Sequence, residues 1–255
     1  HIVTGGVTAI QNAIKCTEKA NIRVEGLVLN QLAAAMAVLS EDEKNLGVAL
    51  ADMGGGTCDL IYYQRGSVAC VSFVPVGGQH FTHDVAVGLR TPQASAEEIK
   101  KKHGCAMASL VSTEESIEVE GVGGRKPRKV LRKDLAEVLE PRAEETLQLI
   151  HSDLQSSGLL NLLGSGVVLT GGASHLDGLV EMGEFIFDVP IRRGSPGKVG
   201  GLTDVIKSAS FSTAVGLLLY GFQRQKYLDQ SSQVENGFSF GEVSKKFRNL
   251  LDDLF

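Results

Sequence analysis

Residues 46–63 read LGVALADMGGGTCDLIYY, two apolar runs on either side of three consecutive glycines. Each run is too short for a solvent-facing helix, and the arrangement is typical of a β-hairpin with a special turn. Glycines lack the Cβ atoms that would keep a ligand away from the backbone, so the N–H groups of Gly54, Gly55 and Gly56 can converge on phosphate oxygens. The pattern therefore predicts a phosphate-binding turn between two buried strands.

Polar side chains border these glycines. Thr57 can add a hydroxyl group, and Asp52 and Asp59 are placed to hold a hydrated Mg2+ ion or to fix the turn. The turn does not match the G-x-x-x-x-G-K-[ST] nucleotide loop. The alternative is a glycine-rich hairpin in which the aspartates only cap the turn.

Composition sets outer bounds on the function. The 255 residues can form one large core or two modest domains, and a formal charge of −5 offers no overall attraction for nucleic acid. The four cysteines form no C-x-x-C pair, which is typical of reduced thiols in a cytosolic protein. No apolar run reaches about eighteen residues, so no transmembrane helix is predicted. Because the chain starts at His1 and not at Met, we expect a piece of a longer protein.

Helical and strand-like patterns alternate along the chain, which predicts an α/β fold. The helices are predicted at 7–20, 30–39, 79–89, 97–103, 135–140, 141–155, 176–187 and 211–222. The strands are predicted at 24–29, 46–53, 58–63, 68–76, 167–170 and 189–192, with a further hairpin at 116–130. Ser95 is predicted to cap a helix, and Asp134 and Pro141 to start two successive helices.

Two more glycine pairs follow predicted strands, and the carboxy-terminal residues differ in composition from the rest of the chain. Gly77-Gly78 precede a helix, a geometry that can offer backbone N–H groups to an anion, and Gly171-Gly172 end another strand.

Residues 223–237 are polar and predict a linker. Residues 238–255 carry an apolar stripe at helical spacing, which predicts an amphipathic helix that lies in a membrane interface or docks on a protein surface.

The three strand–glycine turns, in this order, resemble the ATPase domain shared by actin, sugar kinases and the large heat-shock chaperones. Within that superfamily, many blocks in order are similar to the FtsA family of bacterial cell-division proteins. The blocks are Gly47 to Asp59, Pro75 to Gly78, Thr91-Pro92, Ala96 to Lys100, His103 to Ala106, Gly123 to Arg125, Leu135 to Arg142, Val168 to Ala173, Gly201 to Asp204 and Ser212 to Leu217. The resemblance covers essentially the whole chain.

This resemblance implies an α/β lobe of the actin and chaperone-ATPase type, which is ribonuclease-H-like, with an inserted α+β subdomain. Residues 1–78 would begin subdomain 2A, residues 79–160 would form subdomain 2B, and residues 161–222 would complete 2A with a helix that packs toward the missing lobe. Residues 223–237 would be a linker and residues 238–255 an amphipathic membrane-targeting helix.

The implied function is that of a cell-division adaptor. Such a protein binds ATP with Mg2+, polymerises like actin, tethers FtsZ filaments to the cytoplasmic face of the bacterial inner membrane at the division site, and contacts other division proteins. Any ATPase activity would be weak, and because the family's amino-terminal half is absent we expect weak or undetectable ATP binding by this chain alone. The alternative is an ATP-hydrolysing enzyme or chaperone of the actin and sugar-kinase superfamily.

The resemblance also implies a nucleotide site. Its residues are Asp52, Gly54, Gly55, Gly56, Thr57, Glu97, Lys100, Gly171, Gly172 and Ala173. The first glycine turn would contact the phosphates, Asp52 would approach Mg2+ through water, and the third turn would line the nucleoside. Glu97 and Lys100 would approach the ribose and adenine.

Three further assignments follow from the family. Arg142 and Glu145 lie where the family binds the carboxy-terminal tail of FtsZ, although they could equally be a solvent-exposed ion pair worth a few tenths of a kcal/mol. Gln31 stands where the chaperones carry a glutamate that positions water. A glutamine can orient a water but cannot act as a general base, and Gln31 could instead only cap a packed helix. In the terminal helix the lipid-inserting residues would be Phe247, Leu250, Leu251 and Leu254.

Overall fold

The computed structural model describes residues 2–197 and 206–237, and within 227–237 it describes the backbone alone. In these residues the helices are α1 Val7–Lys19, α2 Asn30–Val38, α3 Glu41–Leu46, α4 Gly78–Gly88, α5 Gln93–His103, α6 Arg132–Ser156, α7 Leu179–Phe187 and α8 Ser212–Gly237. The strands are β1 Val48–Met53, β2 Cys58–Gln64, β3 Ser67–Val74, β4 Ser116–Val119, β5 Arg128–Leu131, β6 Val167–Thr170 and β7 Ile191–Arg193. Short 3-10 helices cover Ala108–Leu110, Val122–Gly124, Leu160–Leu162, Gly172–His175 and Ala209–Phe211.

A mixed β-sheet lies at the centre of the described structure, with the strand order β3-β2-β1-β6-β7. Strands β1, β2 and β3 are successively antiparallel, whereas β6 is parallel to β1 and to β7. The predicted hairpin is confirmed, because β1 and β2 pair from Val48 with Tyr63 to Met53 with Cys58. Since parallel strands end at the same edge of a sheet, the glycine turn after β1 and the one after β6 are neighbours.

Helices α2 and α8 pack on one face of this sheet. Ala33, Ala34 and Ala35 of α2 have no exposed surface, and the alanine-rich sequence lets the two helices approach closely. At the crossing, a Cβ on Gly216 of α8 would lie 1.7 Å from the carbonyl oxygen of Ala33. The crossing therefore accepts only glycine in the present backbone arrangement.

The segment between β3 and β6 forms the inserted unit, in which α4, α5 and α6 accompany the antiparallel β4–β5 hairpin. Its core is continuous with that of the sheet, because Tyr62 of β2 and Leu139 of α6 belong to the same buried cluster. Asp153 of α6 accepts a 2.6 Å hydrogen bond from Ser72 and another from Tyr62. These bonds hold α6 against β2 and β3, while the subdomain boundaries at 79–160 stay a prediction.

The predicted start of a second helix at Pro141 is wrong, because α6 is continuous from Arg132 to Ser156. A proline inside a helix costs one backbone hydrogen bond. Leu139 before it and Ala143 and Leu147 after it are fully buried on one face of the helix. Burial of that continuous face outweighs the lost bond.

Two local predictions in the amino-terminal half of the chain are also wrong. Residues 24–29 belong to no strand or helix, and the carbonyl group of Glu25 accepts a 3.1 Å hydrogen bond from Arg224 of α8. Ser95 does not cap α5, which already begins at Gln93, and its hydroxyl group donates to Glu120. In both places a hydrogen bond with a residue distant in the sequence is present instead of the predicted local structure.

The predicted linker is helical as far as the structure describes it, because α8 continues to Gly237. Residues 223–236 contain neither glycine nor proline, so nothing in them stops a helix that has started in the apolar segment before them. The predicted amphipathic helix at 238–255, with Phe247, Leu250, Leu251 and Leu254, lies outside the described residues. Among the helices within 2–197 and 206–237, none combines the length and apolar character needed to cross a membrane.

Candidate functional site

The three glycine turns line one cleft, with a volume of about 1270 Å³, at the edge of the sheet where β1 and β6 end. Turn one follows β1, turn two joins β3 to α4, and turn three follows β6. Most of the residues implied by the sequence meet here, namely Asp52, Gly54, Gly55, Glu97, Lys100, Gly171, Gly172 and Ala173. Their side chains and backbone come from both the sheet and the inserted unit, so the fold assembles a site that no single segment could form.

The first and second glycine turns are bonded to each other. The N–H group of Gly78 donates to the carbonyl oxygen of Gly54 at 2.9 Å, and that of Gln79 donates to Gly55 at 2.8 Å. A Cβ on Gly77 would lie 2.7 Å from the carbonyl carbon and oxygen of Gly55. Glycine at position 77 is thus required by contact with the first turn, a role that the sequence pattern did not identify.

Gly56 and Thr57 do not line the cleft with their neighbours. Both are exposed at the tip of the first turn, and a Cβ on Gly56 would meet open space. The backbone carbonyl of Thr57 accepts a 2.9 Å hydrogen bond from the N–H group of Gly54, which closes the turn. The predicted phosphate contacts of Gly56 and Thr57 therefore stay predictions, and the structure gives Thr57 a part in shaping the turn.

Asp52 is the next-to-last residue of β1 and lines the cleft, half-buried and opposite Asp59 in the hairpin register. Its Oδ2 atom accepts a 2.7 Å hydrogen bond from Thr213 of α8. Burial raises the pKa of Asp52, the bond from Thr213 opposes this rise, and the Asp59 carboxylate adds to it. Gly171, with φ +85°, leaves room for Asp52, since a Cβ there would be 2.4 Å from its Oδ1 atom.

Lys100 is held at the cleft by three acceptors. Its Nζ atom donates to the carbonyl of Gly78 at 2.9 Å, to the hydroxyl of Thr82 at 2.8 Å and to Glu97 at 2.6 Å. Glu97 also accepts from Thr82 and pairs with Lys101 at 3.0 Å. Partial burial works against ionisation of Glu97, but the hydrogen bonds from Lys100, Thr82 and Lys101 lower its pKa to about 2. The network fixes a cation beside the first turn of α4.

The Glu97 network predicts a pH-dependent contribution to stability. The lowered pKa means that ionised Glu97 stabilises the fold at pH values above 4.5, and this contribution is lost as the pH falls to about 2. Because the side chain is 36% exposed, we expect Glu97→Gln to lower the free energy of unfolding at pH 7 by only about 1 kcal/mol. The difference from the parent should vanish as the pH falls toward 2.

Urea unfolding across this pH range measures the effect, and Glu98→Gln is the matched control. Glu98 is exposed and pairs only loosely with Lys102, at 3.8 Å. Its replacement should change the free energy of unfolding by less than about 0.5 kcal/mol at every pH. A Glu97→Gln variant as stable as the parent at pH 7 would contradict the role given to the network.

Several residues of the cleft wall were not anticipated from the sequence. Among them are Gln79, Thr82, His175 and Arg193. His175 ends the short 3-10 helix that begins in the third turn, and its Nε2 atom lies 3.0 Å from the hydroxyl of Ser208. Burial and the charge of Arg193 lower the pKa of His175. Its position next to Gly171-Gly172-Ala173 was the available signal, whereas Thr82 reaches Lys100 only through the packing of α4 on α5.

Gln31 is placed apart from this group. It lies in the first turn of α2, is half-buried, and is not part of the cleft wall. Its predicted part in positioning water stays a prediction. Among the side chains that the structure describes, those of residues 2–197 and 206–226, no cluster of three or more His, Cys, Asp or Glu is suited to a metal ion.

Arg142 and Glu145 are in contact, one turn apart on α6. Arg142 has a second carboxylate partner, Asp84 of α4, which accepts from Nε at 2.6 Å and from Nη2 at 3.3 Å. The hydrogen bond to Asp84 raises the pKa of the Arg142 guanidinium, although partial burial opposes it. Asp84 carried no signal in the sequence, because 58 positions separate it from Arg142.

The sequence of this chain matches a known family and several of its characterised members. A family profile described as "Cell division protein FtsA" matches residues 49–216. The FtsA of Pseudomonas aeruginosa is 45% identical over 246 residues, which is 96% of this chain and 58% of that protein. The FtsA of Escherichia coli strain K12 is 39% identical over 242 residues, 92% of this chain and 57% of that protein. The chain thus spans little more than half the length of these relatives.

Solved structures share the fold at lower identity. MreB 5 of Spiroplasma citri bound to AMPPNP aligns with a TM-score of 0.68 and 20% identity, over 89% of this chain and 68% of that one. The PilM-PilN type IV pilus biogenesis complex aligns with a TM-score of 0.63 and 17% identity, over 84% of this chain and 57% of that one. These likenesses concern the fold alone and confirm the predicted actin-like class.

The family profile extends from β1 into α8 and so includes all three glycine turns of the cleft. The relatives reach at least 39% identity over more than nine-tenths of the chain in two species. Together with the actin-like fold, these matches confirm the resemblance seen in the sequence. The chain belongs to the FtsA family of cell-division proteins.

Proposed function

We propose that this chain carries a nucleotide-binding lobe of a cell-division adaptor that binds ATP and polymerises like actin. The observation that supports it is the convergence of three glycine turns, Asp52 and Lys100 on one cleft. The adaptor tethers FtsZ filaments to the cytoplasmic face of the inner membrane at the division site and contacts other division proteins. Because the chain spans little more than half of its relatives, these activities belong to the whole protein.

The cleft suits a nucleotide in size and chemistry. Its volume of about 1270 Å³ exceeds that of common small-molecule pockets. The glycines at 54, 55 and 78 carry no side chains, so the backbone is open to a ligand in that part of the wall. Backbone at Gly54 and Gly55 would approach the phosphates, Asp52 would hold a Mg2+ ion through water, and Lys100 would lie on the ribose side with Glu97. Bound ATP would supply a phosphoanhydride, and Gln31 would at most orient water for its slow hydrolysis.

The adaptor role needs two more surfaces. Arg142 and Glu145 on α6 would bind the carboxy-terminal tail of FtsZ, with the guanidinium recognising a carboxylate. Residues 238–255 would bind lipid through Phe247, Leu250, Leu251 and Leu254, since their sequence has an amphipathic helical pattern. A soluble sugar kinase or chaperone has no need of such a pair of surfaces.

Binding of a fluorescein-labelled FtsZ tail peptide, followed by fluorescence anisotropy, tests the adaptor role. We expect saturable binding by the parent chain and at least about tenfold weaker binding by Arg142→Glu, because the variant places a third carboxylate beside Asp84 and Glu145. Lys133→Glu is the matched charge reversal on the same helix, and it should bind like the parent. Saturable binding that a folded Arg142→Glu variant retains in full would contradict this site.

A further inference from the structure

The proposed peptide anchor, Arg142, is already engaged within the chain. Its bidentate pair with Asp84 and its contact with Glu145 surround the guanidinium with two carboxylates. The side chains of Arg142 and Asp84 are 27% and 24% exposed, so the pair can be reached from solvent but is partly shielded from it. An incoming carboxylate would therefore find the charge of Arg142 already compensated.

Asp84 is held in place independently of this ion pair. It lies in the middle of α4, whose end packs closely on α6, since a Cβ on Gly88 would be 2.8 Å from Val138. Arg128 of β5 donates a 2.7 Å hydrogen bond to the carbonyl of Leu89, just after α4. Because packing fixes α4 beside α6, the backbone at Asp84 stays near Arg142 even when the ion pair between their side chains is broken.

The surroundings of Arg142 do not favour a negatively charged ligand. Glu144 and Glu145, on the same turn of α6, are both exposed. A peptide carboxylate therefore gains a charge-assisted bond to Arg142 only by giving up the one that Asp84 makes. The net free energy that this contact contributes to binding is therefore the difference between two similar bonds.

We propose that Asp84 competes within the chain for the guanidinium of Arg142 and so sets the affinity of this surface for a peptide carboxylate. The inference rests on the proposed function, namely that a carboxy-terminal tail binds at Arg142. In the bound state the peptide carboxylate takes the place of Asp84 in the two-pronged bond. In the free state Asp84 occupies that place and keeps unrelated acidic chains away.

Removing the charge of Asp84 with little change of shape tests this competition. We expect Asp84→Asn to bind the labelled FtsZ tail peptide about fivefold more tightly than the parent, because the competing carboxylate is gone. Asp84→Glu keeps the charge and should bind within about twofold of the parent. Glu144→Gln, at an exposed carboxylate of the same turn that is bonded to Gln148, should change the affinity less than Asp84→Asn does.

The outcomes separate this inference from the proposed function. Equal or weaker binding by Asp84→Asn, with its thermal unfolding midpoint close to that of the parent, would overturn the competition. Weaker binding would show in addition that Asp84 orients Arg142. Binding by Asp84→Asn but not by the parent would support it strongly. No saturable binding by the parent or by Asp84→Asn would instead contradict the peptide site itself.

A measurement on the unmodified chain covers the case in which Asp84→Asn does not fold. The side-chain Nε–H resonance of Arg142 can be assigned by its absence in Arg142→Lys. Because Nε donates to Asp84 in the free chain, its resonance should shift when the peptide saturates the site and replaces that acceptor. Saturation of the peptide without any shift of this resonance would contradict the exchange of partners.

Discussion

Gly216→Val is expected to lower the free energy of unfolding by about 3 kcal/mol, the largest effect of any substitution considered. A Cβ at this position would overlap the carbonyl oxygen of Ala33, at 1.7 Å, and would also meet its carbonyl carbon at 2.3 Å. Backbone atoms cannot rotate away as a flexible side chain can, so α8 would have to separate from α2. That movement would expose the alanines of α2 and pull Thr213 away from Asp52.

Gly221→Ala is the matched control, in the same helix and one and a half turns further on. A Cβ at Gly221 meets nothing within 4 Å. Alanine is the better helix former, so this variant should be more stable than the parent by up to about 1 kcal/mol. Urea denaturation followed by circular dichroism measures both, and a Gly216→Val variant as stable as Gly221→Ala would show that α2 and α8 do not cross as described.

The second large effect is expected at Gly77→Val, with a loss of about 2 kcal/mol in the free energy of unfolding. The added side chain would meet the carbonyl groups of Gly54 and Gly55 at 2.7 to 2.8 Å. To avoid this overlap, the two glycine turns must separate and break the bonds from Gly78 and Gln79 to the first turn. The loss of stability comes from overlap with neighbouring atoms and not from backbone strain, because any residue can adopt the φ of Gly77, −154°.

Gly56→Ala provides the comparison for stability. Gly56 belongs to the facing turn, and its added Cβ would meet open space. We expect its free energy of unfolding to stay within about 0.5 kcal/mol of the parent. Equal stability of Gly77→Val and Gly56→Ala in thermal and urea unfolding would mean that the two turns are not packed together.

The sequence predicted the local parts of this structure best. The hairpin around Gly54 and the strand before Gly171 were recognisable because short apolar runs end at consecutive glycines, which favour turns and interrupt regular helices and strands. The placement of Gln31 apart from the cleft was not visible in its sequence pattern. Similarity to a motif identifies the helix on which a residue lies but does not fix the distance of its side chain from other segments.

Contacts between distant segments explain the remaining differences. Local preference alone predicts helix boundaries at Pro141 and in the polar residues 223–237. The helix nevertheless continues through both, α6 past Pro141 because of its packing and α8 to Gly237 because nothing stops it. Thr213 and Asp84 are ordinary residues in their own segments. They matter because α8 lies against β1 and α4 lies against α6, and a single sequence carries no direct record of such neighbours.

The parallel pairing of β1 with β6 has a consequence for how this protein folds. The whole inserted unit separates the two strands along the chain, and closing so long a loop costs much conformational entropy before any pairing energy is gained. The β1–β2–β3 meander can form locally, so we expect it to form earlier than the β1–β6 pairing. The cleft should therefore be among the last features to form, and native-state hydrogen exchange should find its walls separating while the meander remains protected.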